Sequence, residues 1–83
     1  MPDEIDRVSE QWFFLQLAAI IRARIERGEY EPGTLLPREP HFMQHYGVSR
    51  GTVRKAAEEL ARSGHIRRIK GRGNLVLPPQ DWH

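Results

Sequence analysis

Arg50, Arg54 and Lys55 sit close together in the segment GVSRGTVRKAAEEL, residues 47–60. A guanidinium is a planar fork of donors that can meet a phosphate or the O6/N7 edge of guanine, so the chemistry offered is recognition of a polyanion. For that the cations must project from one rigid surface. Ser49 predicts such a surface, because a serine hydroxyl ahead of a helix accepts from backbone N–H groups two or three residues on, starting the helix at Arg50. Val53, Ala56, Ala57 and Leu60 then form one apolar stripe, while Gly51, Arg54, Lys55 and Glu58 face away. A helix whose outer side opens with Arg50, Gly51, Thr52, Arg54 and Lys55 is suited to the major groove of DNA.

The elements that must hold this helix are legible on either side. Residues 1–8 are rich in acids and carry Pro2, which predicts a flexible lead-in. From about Ser9 a helical period places Phe14, Leu17, Ala18, Ile21 and Ile25 on one face, and Gly28 ends it. Trp12, Phe13 and Leu15 make the first turns apolar nearly all round, which fits either packing on the chain ends or a patch for another subunit. Glu31-Pro32-Gly33-Thr34 has the signature of a type II turn, and Leu35-Leu36 reads as a short, buried, extended link. A second helix is expected over Glu39–Tyr46, with Pro40 tolerated in its first turn, Phe42, Met43 and Tyr46 on its apolar face, and Gly47 as a left-handed C-cap. Three residues between two helices force a steep crossing, the geometry of a helix-turn-helix.

After Ser63-Gly64 come two β-prone runs, His65–Ile69 and Asn74–Leu77, about the tip Lys70-Gly71-Arg72-Gly73. They predict a hairpin, with a bulge or a strand end near Ile69 because Ile66 and Ile69 do not share a face. Pro78-Pro79 marks the exit to a tail over 78–83. Within that tail Trp82 is either disordered or an anchor to the first helix or to a partner. His65 is either a phosphate contact or a packed ring. Arg67 and Arg68 point to opposite sides of a strand, so at most one faces DNA well.

Eighty-three residues make one domain near the lower limit for a fold held by an apolar core alone, and with no cysteine neither disulfides nor thiolate metal sites can help. No apolar run is long enough to span a bilayer and no basic-then-apolar leader opens the chain, so a cytoplasmic protein without a membrane partner is expected. The net charge is a modest +2, but it is segregated. Residues 1–37 hold four arginines against seven acids, whereas residues 49–73 hold eight basic side chains against Glu58 and Glu59. One electropositive surface follows, which favours a phosphate backbone. His41 and His45 could share a metal, but no carboxylate or thiol at ligand spacing offers a third donor, so no metal or cofactor is expected. Gly-Arg-Gly lacks the Lys-Ser/Thr ending and following helix of a nucleotide loop. With no nucleophile–base pair and little room to enclose a pocket, an enzyme is not expected.

The run LPREPHFMQHYGVSRGTVRKAAEELARSGHIRRIKGRGNLV, residues 36–76, resembles the winged helix-turn-helix DNA-binding domain of GntR-family bacterial transcription regulators. IIRARIERGEYEPGTLLP resembles that family's first helix and Pro-Gly turn, so the likeness covers about 9–77. The resemblance implies a mainly α fold of three helices plus a β-wing, acting as a transcriptional repressor. It implies a homodimer, at least on DNA, bound to a pseudo-palindromic duplex operator. Arg50 and Arg54 match arginines that contact bases or adjacent phosphates, Ser49 and Thr52 match polar contacts, and Lys70, Gly71, Arg72 and Gly73 match a wing that reaches the minor groove. Arg38, Lys55 and Lys70 are assigned to phosphates with Ser49.

Two departures alter the expected docking. Pro40 stands where the family commonly has a DNA-contacting arginine, leaving Arg38 to take over by a different approach. Gly51 replaces a threonine or other polar residue, removing one contact while allowing closer backbone approach. The larger effector-binding domain common in the family does not follow the wing here, which fits either a fragment or a compact regulator; the sequence specifies no effector. The competing class is a winged helix used as a protein-interaction module, with Trp12–Leu15 as its contact. On that reading Arg50 and Arg54 are solvated cations beside Glu58, and the glycine-rich tip is only a turn.

Overall fold

Three helices and one hairpin follow in the order the patterning predicts: α1 (Phe13–Glu26), α2 (Glu39–Tyr46), α3 (Arg50–Arg62), β1 (Ile66–Ile69), β2 (Gly73–Val76) and a closing 3₁₀ turn, Pro79–Asp81. This computed structural model describes residues 12–83, so the lead-in expected over 1–8 and the helix start expected at Ser9 lie outside the described residues. α1 packs its apolar face against the buried stripe of α3, and α2 packs against α3 as well. The core is built from Leu17, Ile21, Ile25, Phe42, Val53, Ala56, Leu60, Ile66 and Val76, all buried. Ile20, outside the predicted face of α1, is buried as well. Phe13 and Phe14 pack against this core, while Trp12 and Leu15 stay exposed.

Local chemistry sets each boundary. Ser49 accepts from the Thr52 amide at 3.2 Å and starts α3, whose stripe of Val53, Ala56, Ala57 and Leu60 is buried as the spacing requires. Gly47 at φ 64° closes α2, and Val48 N–H donates to the Met43 carbonyl, so the three-residue turn uses the orphan carbonyls of the helix it ends. Gly33 sits at φ 89° and Thr34 N–H reaches the Glu31 carbonyl at 3.2 Å, the bond expected of a type II turn.

The link after that turn does more than the sequence suggested. Gly33 N–H donates to Val76 O, Val76 N–H to Thr34 O, and Leu36 N–H to Asn74 O, all near 2.9 Å, with Leu35 bridged to Leu75. Residues 33–36 thus run antiparallel along β2 as a third, short edge. Only one of the two leucines is buried: Leu36 points inward, whereas Leu35 is 48 % exposed, because successive side chains of an extended chain face opposite sides. The hairpin itself pairs Ile66 with Val76 through Ile69 with Gly73 without interruption, so Ile69 is a strand end and no bulge forms.

The tail is also folded, which decides between the two alternatives for Trp82: it is an anchor, held on His65. Its indole stacks on His65 with ring centroids 4.8 Å apart and donates to the Leu77 carbonyl at 3.0 Å, and His83 N–H donates to the Ser63 carbonyl at 2.8 Å. The chain passes so close to Gly64 that a Cβ there would lie 2.0 Å from the Asp81 carbonyl oxygen. His65 is accordingly a packed ring, not a phosphate contact. It is 3 % exposed, and both ring nitrogens are satisfied, one by Glu26 Oε2 at 2.8 Å and the other by Ser63 Oγ at 2.7 Å. Three helices with a hairpin set beside the α2–α3 pair make a winged helix-turn-helix.

Candidate nucleic-acid interface

The N-terminal ends of α2 and α3 and the hairpin tip converge on one cleft. Its floor is apolar, with Ile21, Leu36, Phe42, Val53, Leu60 and Ile69, and its rim carries Arg38, Arg50, Arg54, Arg68, Lys70 and Arg72. Against these six cations the lining holds one carboxylate among the described residues, Glu39. The charge segregated along the sequence is therefore concentrated in space, and a polyanion laid across the rim would meet cations from three elements.

Glu39 is the residue that sequence reasoning missed. Its Oε2 accepts from Arg54 Nε at 2.9 Å and its Oε1 lies 3.6 Å from Arg50 Nε, so one carboxylate of α2 ties together the two arginines of α3. The α3 pairing considered in the sequence, to Glu58, is replaced by this contact between helices. Both arginines engage Glu39 through Nε, which leaves their terminal amino groups, the ones that reach a base edge, uncommitted to it. Because these side chains are more than half exposed, the pairing is a positioning device more than a source of stability. The one sequence signal was an acid beside Arg38 at the start of a helix; its distance from Arg50 in space is a tertiary property.

The other expected contacts separate into groups. Arg38, Lys70, Gly71, Arg72 and Gly73 line the cleft together with Arg50 and Arg54. Arg68 joins them and Arg67 does not, which resolves the alternation expected of that strand. The hairpin tip is shaped by Gly71 at φ 80° and Gly73 at φ 124°, with Arg72 N–H donating to Ile69 O at 2.9 Å. Ser49 Oγ caps α3 and also donates to Thr52 Oγ1 at 3.1 Å, so both hydroxyls begin engaged with one another. Lys55 lies on another flank of α3, its ammonium 5.7 Å from the centroid of the Phe14 ring of α1. Gly51 is exposed, and a Cβ there would meet only Ser49 Oγ at 3.8 Å. His41 and His45 stack in parallel with centroids 5.9 Å apart, and no group of three metal donors exists among the described residues. Away from this rim, burial raises the Tyr46 hydroxyl above the usual phenol range, with Arg24 pulling it the other way.

A sequence model described as bacterial regulatory proteins, gntR family, matches residues 14–76, which takes in all but the first residue of the three helices together with the wing. The chain belongs to the gntR family. Among its relatives, the HTH-type transcriptional repressor NagR of Bacillus subtilis (strain 168) is 34 % identical over 76 residues, covering 92 % of this chain and 31 % of NagR. The HTH-type transcriptional regulator TreR of the same strain is 41 % identical over 64 residues, covering 77 % of this chain and 27 % of TreR. This chain thus spans about a third of the length of these gntR relatives. Of the solved structures, YtrA from Sulfolobus acidocaldarius, a GntR-family transcription factor, matches with TM-score 0.78 at 32 % identity over 90 % of this chain and 79 % of YtrA. AraR(DBD) in complex with operator ORR3 matches with TM-score 0.72 at 35 % identity over 76 % of each chain. No helix among the described residues of this gntR domain is long and apolar enough to cross a membrane.

Proposed function

We propose that this gntR domain binds duplex DNA sequence-specifically and is the DNA-reading part of a cytoplasmic transcriptional repressor. The observation that carries the proposal is the rim itself: six cations from α2, α3 and the wing around one cleft, in a fold whose relative AraR(DBD) was crystallised on an operator. In this reading 9–77 is the DNA-binding unit. α3 enters the major groove and presents Arg50, Thr52 and Arg54 to base edges, held in register by Glu39. The wing reaches the minor groove through Arg72, where glycines on either side let the tip fit a narrow channel. Ser49, Lys55 and Lys70 take phosphates, which position without specifying. A homodimer on a pseudo-palindromic operator doubles each set.

The salt dependence of binding tests it. Four phosphates neutralised by Lys55 and Lys70 of a dimer give a slope of about −3.6 in log K against log salt, or roughly a 10²-fold loss of affinity from 50 to 200 mM. A flat response, measured by fluorescence anisotropy on the best duplex recovered from a random pool, would leave instead a protein-interaction module using Trp12 and Leu15.

Gly51 gives a second check. Since a Cβ there meets nothing closer than 3.8 Å, Gly51→Ala is expected to raise stability by about 0.5–1 kcal/mol in urea denaturation while weakening DNA binding. A variant that gains stability and keeps full affinity would show that the bare backbone is not used in close approach.

A further inference from the structure

Arg38 occupies the N-cap position of α2 but does not cap it: its side chain makes no bond to the helix it precedes. Instead its guanidinium crosses the cleft and donates from Nη2 to the backbone carbonyl of Arg72, at the tip of the wing, at 3.3 Å. The register of the neighbouring edge gives this contact its meaning. Residues 33–36 pair with β2 so that Thr34 faces Val76, Leu35 faces Leu75 and Leu36 faces Asn74. Two steps further along the same antiparallel register, Arg38 faces Arg72. The main chain does not continue the pairing, because at Arg38 the chain turns away into α2. The guanidinium supplies the donor that the departing backbone no longer offers, to the acceptor next in line.

Resting on the DNA-binding reading above, we propose that Arg38 is a positioning residue that clasps the wing to α2, fixing where Arg72 stands relative to the recognition helix. The tip needs such a clasp. Gly71 and Gly73 leave it without side chains at two positions, no atom would lie within 4 Å of a Cβ at either, and the tip is closed by Arg72 N–H to Ile69 O. In place of the phosphate contact that the sequence suggests, Arg38 acts on DNA through the wing.

Backbone amide relaxation and hydrogen exchange of the free 83-residue protein test the clasp without DNA. Arg38→Ala is expected to raise the mobility of residues 71–73 while leaving α3 unchanged; an unaltered tip overturns the proposal. On the best duplex from a random pool, Arg38→Ala should weaken binding several-fold and relax preference at the flanking minor-groove positions, with the salt slope unchanged. In an Arg72→Ala background the same substitution should have no further effect. A slope reduced by about 0.9, with the full loss retained in that background, would identify a direct phosphate contact and sink the clasp. If the parent protein binds no duplex, the DNA-binding reading fails, and the tip measurements still decide the clasp.

Discussion

Leu60→Ala is expected to lower the free energy of unfolding by about 2–5 kcal/mol, against a total of about 4–12 kcal/mol for a domain of this size. Leu60 is fully buried at the inner end of the α3 stripe, in the cluster shared with Leu17, Ile66 and Val76, and its carbonyl also accepts the His65 amide at 2.9 Å. Shortening its isobutyl group to a methyl opens a void between α1, α3 and β1 that close-packed neighbours fill only in part. With no disulfide to share the load, the urea midpoint should fall steeply while the slope of the transition holds. A change below about 1 kcal/mol would mean that the stripe is not the centre of the core. It would then be in doubt that the opposite face of α3 is the one turned to solvent.

Arg54→Ala carries the largest expected effect on recognition. A bidentate arginine–guanine contact contributes about 1–3 kcal/mol of discrimination, so its loss should flatten the base preference at one operator position by roughly 5- to 150-fold. The Glu39 geometry adds to this. Alanine leaves that carboxylate without its 2.9 Å partner, facing DNA with only Arg50 at 3.6 Å to balance it. Arg54→Ala should therefore be less damaging when Glu39 is also changed to glutamine. Lys70→Ala, by contrast, should weaken all sequences alike and shallow the salt slope by about 0.9 per phosphate. Competition binding against a panel of single-base operator variants reads both effects. If both substitutions lower affinity with preference untouched, the division between base contacts and phosphate contacts is wrong.

Much of the fold was legible because it rests on short-range rules. The α3 stripe follows from spacings of three and four, Ser49 and Gly47 mark helix ends by chemistry that needs no tertiary context, and Pro32-Gly33 writes its own turn. Leu35 failed for a reason also within reach: two adjacent leucines in extended chain cannot both face inward. What lay out of reach depends on residues far apart in the chain. Glu39 meets Arg50 and Arg54 only because α2 and α3 cross, and Arg38 meets Arg72 only because an edge of four residues aligns with β2. Trp82 finds His65 because Gly64 leaves room for the passing backbone. Arg38, Arg50, Arg54, Lys70 and Arg72, which line the cleft, could be named from sequence, and the contacts they make there could not.

The seam where the last residues lie over Gly64 also tells against trimming. A protease or a cloning boundary placed at Val76, where the family likeness stops, looks harmless on a sequence diagram. Such an excision would strip the indole from His65, remove the amide that occupies the Ser63 carbonyl, and open to water the bond that ties the end of α1 to the start of β1. The last residues, beyond the stretch that the family model matches, thus pack as part of the body of the domain.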